Sequence, residues 1–144
     1  MCTKNSKRFQ LSHISWCIKM MQLLQCCVYM CKGLQRESTN PRILEHPDDV
    51  FAARNEPATL NCKAEGEPPP VVTWYRNGQP VVTSNDNPVS HRMVLPSGQL
   101  FFLRIIHSNK NQQDVGVYYC NATNPETRVS VISRSAKLDI ASES

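Results

Sequence analysis

At 144 residues the chain has room for one domain and a short extension. Apolar residues make up 40% and charged residues 19%, an ordinary globular balance that excludes the disordered and collagenous classes. The formal net charge of +4 is unevenly spread. Lys4, Lys7, Arg8, Lys19 and Lys32 precede residue 34 and every acid follows it, so from Leu34 onward 11 basic against 12 acidic residues leave −1. That part of the chain is near neutral, without the basic stripe a nucleic-acid partner requires.

In chain order, residues 1–34 come first. They hold Cys2, Cys17, Cys26, Cys27 and Cys31, five of the seven cysteines. A basic start, a mostly apolar run from Met20 to Cys31 broken by Gln22 and Gln25, and a small-x-small site at Cys31-Lys32-Gly33 fit a secretory signal peptide. A mis-predicted exon start and a retained anchor through Cys26-Cys27 are the alternatives, and the run is too short and polar to span a bilayer. Residues 35–40 read as a polar linker, 41–141 as the domain and 142–144 as a tail. Only Cys62 and Cys120 then remain in the domain, and two cysteines make one bridge, which implies maturation in an oxidising compartment.

The domain reads as short β-rich runs separated by turn residues. The first strand is expected over 42–46, ended by Pro47. Over 58–64, Leu60, Cys62 and Ala64 alternate inward with Thr59, Asn61 and Lys63 outward. Residues 65–70 end in three prolines, which lack the ladder donor, so no central strand runs there. A strand over 71–76 ends at Asn77-Gly78, a strong hairpin dipeptide. Further strands are expected at 81–82, 92–95, 99–106, 117–122 and 129–140, with Pro96-Ser97-Gly98 turning between the second and third of these.

Catalytic and metal chemistry find no footing. His13, His46, His91 and His107 show no ligand spacing, Cys26-Cys27-x-x-x-Cys31 lacks the paired C-x-x-C of a zinc site, and no nucleophile elbow or Gly-rich phosphate loop occurs. The chain is read as a non-enzyme without cofactor or metal. Asn121-Ala122-Thr123 is an N-glycosylation sequon, and because Cys120 points inward, Asn121 points out.

What the chain does carry is a constellation: Cys62, Trp74 twelve residues on, then Asp114-x-Gly116-x-Tyr118-x-Cys120. This is the immunoglobulin signature. The cysteines cross-link facing sheets, the Trp packs on the bridge, and a Tyr two residues before the second Cys returns a hydroxyl bond to the upstream backbone. The fold class is therefore all-β: an immunoglobulin-like β-sandwich of the I-set type, two antiparallel sheets joined by one disulfide. Arg92 and Asp114 are read as a structural ion pair.

Four stretches are more specific still: 41–47 (Pro-Arg-Ile-Leu-Glu-His-Pro), 56–66 (Glu-Pro-Ala-Thr-Leu-Asn-Cys-Lys-Ala-Glu-Gly), 90–98 (Ser-His-Arg-Met-Val-Leu-Pro-Ser-Gly) and 100–105 (Leu-Phe-Phe-Leu-Arg-Ile). They resemble the first immunoglobulin domain of the Roundabout axon-guidance receptors over residues 41 to 124. The resemblance implies an extracellular or cell-surface module that binds the leucine-rich-repeat protein Slit, assisted by heparan sulfate. Carried over by position, the Slit contact falls on Glu45, Asn61, Lys63, Met93, Phe101, Leu103 and Arg104.

Departures are Asn109 where the family has a basic residue, though Lys110 remains, and a longer last hairpin loop, Thr123-Asn124-Pro125-Glu126-Thr127. The family's later domains, membrane span and cytoplasmic tail have no counterpart here. The expectation is a fragment, a truncated gene model or a secreted short form. A homophilic adhesion domain and a structural domain of a muscle protein are the other readings.

The stretch 99–106 carries a conflict. Leu100, Phe102, Arg104 and Ile106 share one parity, and Phe101, Leu103 and Ile105 the other, yet both are largely apolar. Pattern alone buries Phe101, Leu103 and Ile105. The resemblance turns Phe101 and Leu103 outward, which needs a bulge near Arg104.

Overall fold

The computed structural model describes residues 37–110 and 113–142. Expectations for residues 1–34 and for the last two residues of the tail lie outside the described residues.

Eleven strands run in chain order among the described residues: β1 Arg42–Glu45, β2 Val50–Ala52, β3 Ala58–Leu60, β4 Lys63–Glu65, β5 Val71–Arg76, β6 Gln79–Pro80, β7 Arg92–Val94, β8 Leu100–Phe102, β9 Gly116–Thr123, β10 Ser130–Ile132 and β11 Ala136–Ile140. They form the two layers of a sandwich. β3 and β4 are two parts of one run interrupted at Asn61-Cys62, so β1-β4 and β3-β8-β7 make up the first layer. The second has the order β2-β11-β9-β5-β6, with β10 also on β9.

Between them lies a core of Leu60, Leu100, Phe102, Ile105, Tyr118 and Leu138 around the Cys62–Cys120 disulfide, whose Cα atoms stand 6.5 Å apart. Trp74 pairs with Cys120 across β5 and β9 and is buried with them. Its indole N–H is not stranded, because Nε1 donates to the Gly98 carbonyl at 2.9 Å.

Several expected strands are shorter or divided. The run 58–64 is split, 99–106 is regular only over Leu100–Phe102, and 129–140 breaks into β10 and β11. The strand expected at 81–82 lies instead at Gln79–Pro80, directly after the Asn77-Gly78 turn; Asn77 (φ 48°) and Gly78 (φ 79°) are both left-handed, as a two-residue hairpin demands.

β2 was not anticipated. It pairs parallel with β11, matching Leu138 to Val50 and Ile140 to Ala52, while every other strand pair is antiparallel. Chain direction explains this. β1 hydrogen-bonds in the first layer, the chain crosses at buried Pro47, and it continues in the same sense along the edge of the second. A proline has no donor for either ladder, so it suits the crossing.

Candidate functional site

The outer side of the first layer is built by strand alternation. In β3, β8 and β7, Thr59, Phe101 and Met93 stand in one cross-strand row. The rows on either side, Leu60-Leu100-Val94 and Ala58-Phe102-Arg92, turn toward the core, where Leu60, Leu100, Phe102 and Arg92 are buried. Phe101 and Met93 are half-buried on the outer side.

Two residues along, Asn61 is exposed and accepts a bond from Gln99 Nε2 at 2.9 Å through its Oδ1. Lys63 is exposed in β4 and sits opposite Glu45 of β1, which is also exposed. The β1-β4 register slips between Ile43 and Glu45. The extra residue, Leu44, is 42% exposed, and the slip keeps Glu45 beside Lys63 on the face with Asn61.

Beyond Phe102 the alternation resets. Leu103 is 53% exposed, Arg104 is exposed next to it, and Ile105 is fully buried. Leu103 N still donates to the His91 carbonyl at 2.8 Å. Pairing then resumes at Ile105, whose N donates to Glu56 O at 2.9 Å and whose carbonyl accepts from Asn55 N at 3.0 Å. Two consecutive side chains thus face water. That extra residue lets a chain apolar at both parities bury Leu100, Phe102 and Ile105 while leaving Phe101 and Leu103 outside. The pattern-based burial of Phe101 and Leu103 is overturned.

The structure brings Glu45, Asn61, Lys63, Met93, Phe101 and Leu103 onto one side of the first layer, with Arg104 just past the bend. The centre is apolar and the flanks are polar.

Behind this face Asp114 gathers partners. Its carboxylate accepts from Arg92 Nε at 2.8 Å, from Arg92 NH2 at 2.7 Å, from Ile106 N at 2.6 Å and is 2.9 Å from His91 Nε2. The Asp114 carbonyl accepts from the Tyr118 hydroxyl at 2.6 Å. Asp114 is fully buried, and a buried carboxylate needs such pairing. Sequence reasoning paired it with Arg92 and missed His91. Neighbours in a regular strand point to opposite faces, but His91 lies at a bend just before β7, so it can share a partner with Arg92.

Asn124 was missed too. It is buried, its Oδ1 accepts from Glu126 N at 2.8 Å and Thr127 N at 3.1 Å, and its Nδ2 donates to Thr39 O at 3.0 Å. The loop between β9 and β10 is thereby tied to residues before β1. The Asn124-Pro125 dipeptide, a turn initiator, is the signal that could have found it.

Among the described residues no group of three or more His, Cys, Asp or Glu is placed to hold a metal ion, and no helix is long and apolar enough to cross a membrane.

Comparison with known proteins gives a consistent picture. The family model described as "Immunoglobulin domain" matches residues 40–124. Roundabout homolog 1 of Mus musculus is 50% identical over 116 residues, covering 79% of this chain and 7% of the relative. Roundabout homolog 2 of Homo sapiens is 51% identical over 108 residues, covering 75% of this chain and 8% of the relative. Among solved structures, an immunoglobulin chain from a complex of titin with obscurin-like 1 superposes with a TM-score of 0.57 at 27% identity, covering 73% of this chain and 96% of that one. The chain thus spans less than a tenth of the length of these Roundabout relatives. It belongs to the immunoglobulin domain family and, over most of its length, is similar to Roundabout homologs.

Proposed function

We propose that this domain is an extracellular protein-binding module, and that it binds a Slit-like leucine-rich-repeat protein through the outer side of its first layer. The observation that carries the reading is the outward pair Phe101 and Leu103. A sheet that buries one side against a core ordinarily presents polar residues on the other. Here the chain departs from regular alternation so that Leu103 is solvent-facing, next in line to Phe101 and Met93, with Asn61, Lys63, Glu45 and Arg104 toward the flanks. An apolar centre inside a charged rim is the usual anatomy of a specific interface, and central residues carry most of its energy. The similarity to Roundabout homologs supports the location and the kind of partner. The muscle-protein reading has the weaker support: 27% identity to the titin complex chain against about 50% to Roundabout homologs.

The test pairs affinity with folding. Leu103→Ala is expected to weaken binding to a Slit leucine-rich-repeat domain by about 1–3 kcal/mol. The melting temperature should hardly move, because the side chain is already half in water. Arg104→Ala, at the rim, should cost less, and added salt should weaken the complex only in part. Unchanged affinity in Leu103→Ala, with folding intact, would remove this face as the Slit contact.

A further inference from the structure

The second layer has its own outer side, and it too is apolar. Along β9, Tyr118, Cys120 and Ala122 are buried, which turns Val117, Tyr119 and Asn121 outward. Tyr75 of β5 stacks on Tyr119 with ring centroids 5.1 Å apart and planes within 4°. One step along, Asn121 stands between Thr73 of β5 and Ile132 of β10. Ile132 is 61% exposed, and Val71, at the far end of β5, is 53% exposed. An exposed apolar patch on a sheet face calls for an occupant.

Asn121 sits in the middle of this face, and its Oδ1 is buried without a hydrogen-bond partner. It also opens the triplet Asn121-Ala122-Thr123. We propose that Asn121 carries an N-linked glycan whose first sugars lie over the Tyr75–Tyr119 stack and Ile132. This glycan would be the permanent cover of the second layer and would leave the first layer as the protein-docking side. The inference rests on the extracellular reading above.

The chemistry is a group transfer from a lipid pyrophosphate-linked oligosaccharide. Asn121 Nδ2 bonds to sugar C1 as the C1–O bond to pyrophosphate breaks, the amide gives up one proton, and the lipid pyrophosphate leaves. The Thr123 hydroxyl completes the acceptor triplet, and transfer to a surface position such as this adds a bulky solubilising group.

Two features favour a sugar here over a second protein. The attachment point is at the centre of the patch rather than its edge, so a glycan on it denies the patch to a flat protein partner. The ring faces are electron-rich and attract the C–H face of a pyranose, and stacked Tyr75 and Tyr119 offer such a surface next to the attachment point.

The full chain should be secreted from mammalian cells behind a heterologous leader, so that entry into the secretory pathway is not what is tested. Intact mass should fall by one glycan on treatment with peptide-N-glycosidase, and both Asn121→Gln and Thr123→Ala should lack that mass. Proton NMR should show the first sugars shifted upfield by the tyrosine rings and in contact with Ile132, and the shifts should vanish in Tyr119→Thr. An unmodified Asn121 in the secreted, folded chain overturns the proposal. So does a glycan whose sugar resonances sit at their free-solution positions, or a glycosylated chain that self-associates through Ile132. Failure of the extracellular reading is seen separately, as no binding of the same secreted chain to a Slit leucine-rich-repeat domain, whatever Asn121 carries.

Discussion

Tyr118 shows how much a single side chain is asked to hold at the residue scale. Its ring is in the core, edge-on to Phe102 at 5.9 Å, and its hydroxyl closes the turn by bonding the Asp114 carbonyl at 2.6 Å. Burial pushes the phenol well above its ordinary range; Arg92 nearby pulls part of that back and Asp114 adds to it. Removing the hydroxyl strands a buried carbonyl, so Tyr118→Phe should cost about 1–3 kcal/mol at neutral pH.

The sign of the pH dependence follows from the direction of the shift. The folded phenol holds its proton at pH values where an unfolded tyrosine, with a pKa of about 10, gives it up. This contribution to stability is therefore complete below about pH 10 and declines as pH rises above it. The phenylalanine variant lacks that decline. Urea midpoints at pH 7 and about pH 10.5 should show the gap between the two proteins narrowing. A gap that widens with pH would mean the phenol is not protected as its burial indicates.

The turn between β7 and β8 decides, at the scale of the element, whether the face proposed for binding forms. Gly98 N donates to Leu95 O at 2.8 Å, and Leu95 N donates to Gln99 O at 2.8 Å, which brings Val94 opposite Leu100 and Met93 opposite Phe101. Gly98 has φ +98°, and a Cβ there would stand 2.6 Å from the Cys62 carbonyl oxygen. Its own carbonyl receives the Trp74 indole. Left-handed backbone and a backbone clash act together, so Gly98→Ala should destabilise by about 2–4 kcal/mol, more than the Gly-to-Ala conformational term alone. A melting temperature within a degree of wild type would show that the turn can relax. Sequence placed the turn at Pro96-Ser97-Gly98 from its residue types. It did not reveal that the glycine is required by the Cys62 backbone between β3 and β4, a contact between segments far apart in the chain.

The Cys62–Cys120 bridge spans 58 residues and joins the two layers of the whole molecule at their centre. Closing a loop of that length removes enough unfolded-state entropy to contribute about 4 kcal/mol, a large share of what a domain of this size has. Replacing both cysteines by Ala should lower the unfolding free energy by about 2–5 kcal/mol in denaturant titration. A loss under about 1 kcal/mol would mean that the core alone holds the sheets together. At the same scale the two proposals give the outer sides separate roles: a docking side on the first layer and a glycan-covered side on the second.

Much of this was legible before any coordinates. The Cys62, Trp74, Tyr118 and Cys120 spacing specified a two-layer sandwich, and alternation around Cys62 placed Asn61 and Lys63 outside, because both signals depend on the period of a single strand. Alternation failed where a strand meets its neighbours. Whether 99–106 buries Phe101 or Phe102, where Leu103 and Arg104 double outward, that the chain passes from β1 in one layer to parallel β2 in the other, and that His91 joins Arg92 on Asp114 were all decided by pairing between distant segments. Both parities of 99–106 were apolar enough to be core. Only the fit of Leu100 and Phe102 against Leu60 and Ala58 across the sheet, and the return of Ile105 to the core, selected the one that leaves Phe101 and Leu103 facing water.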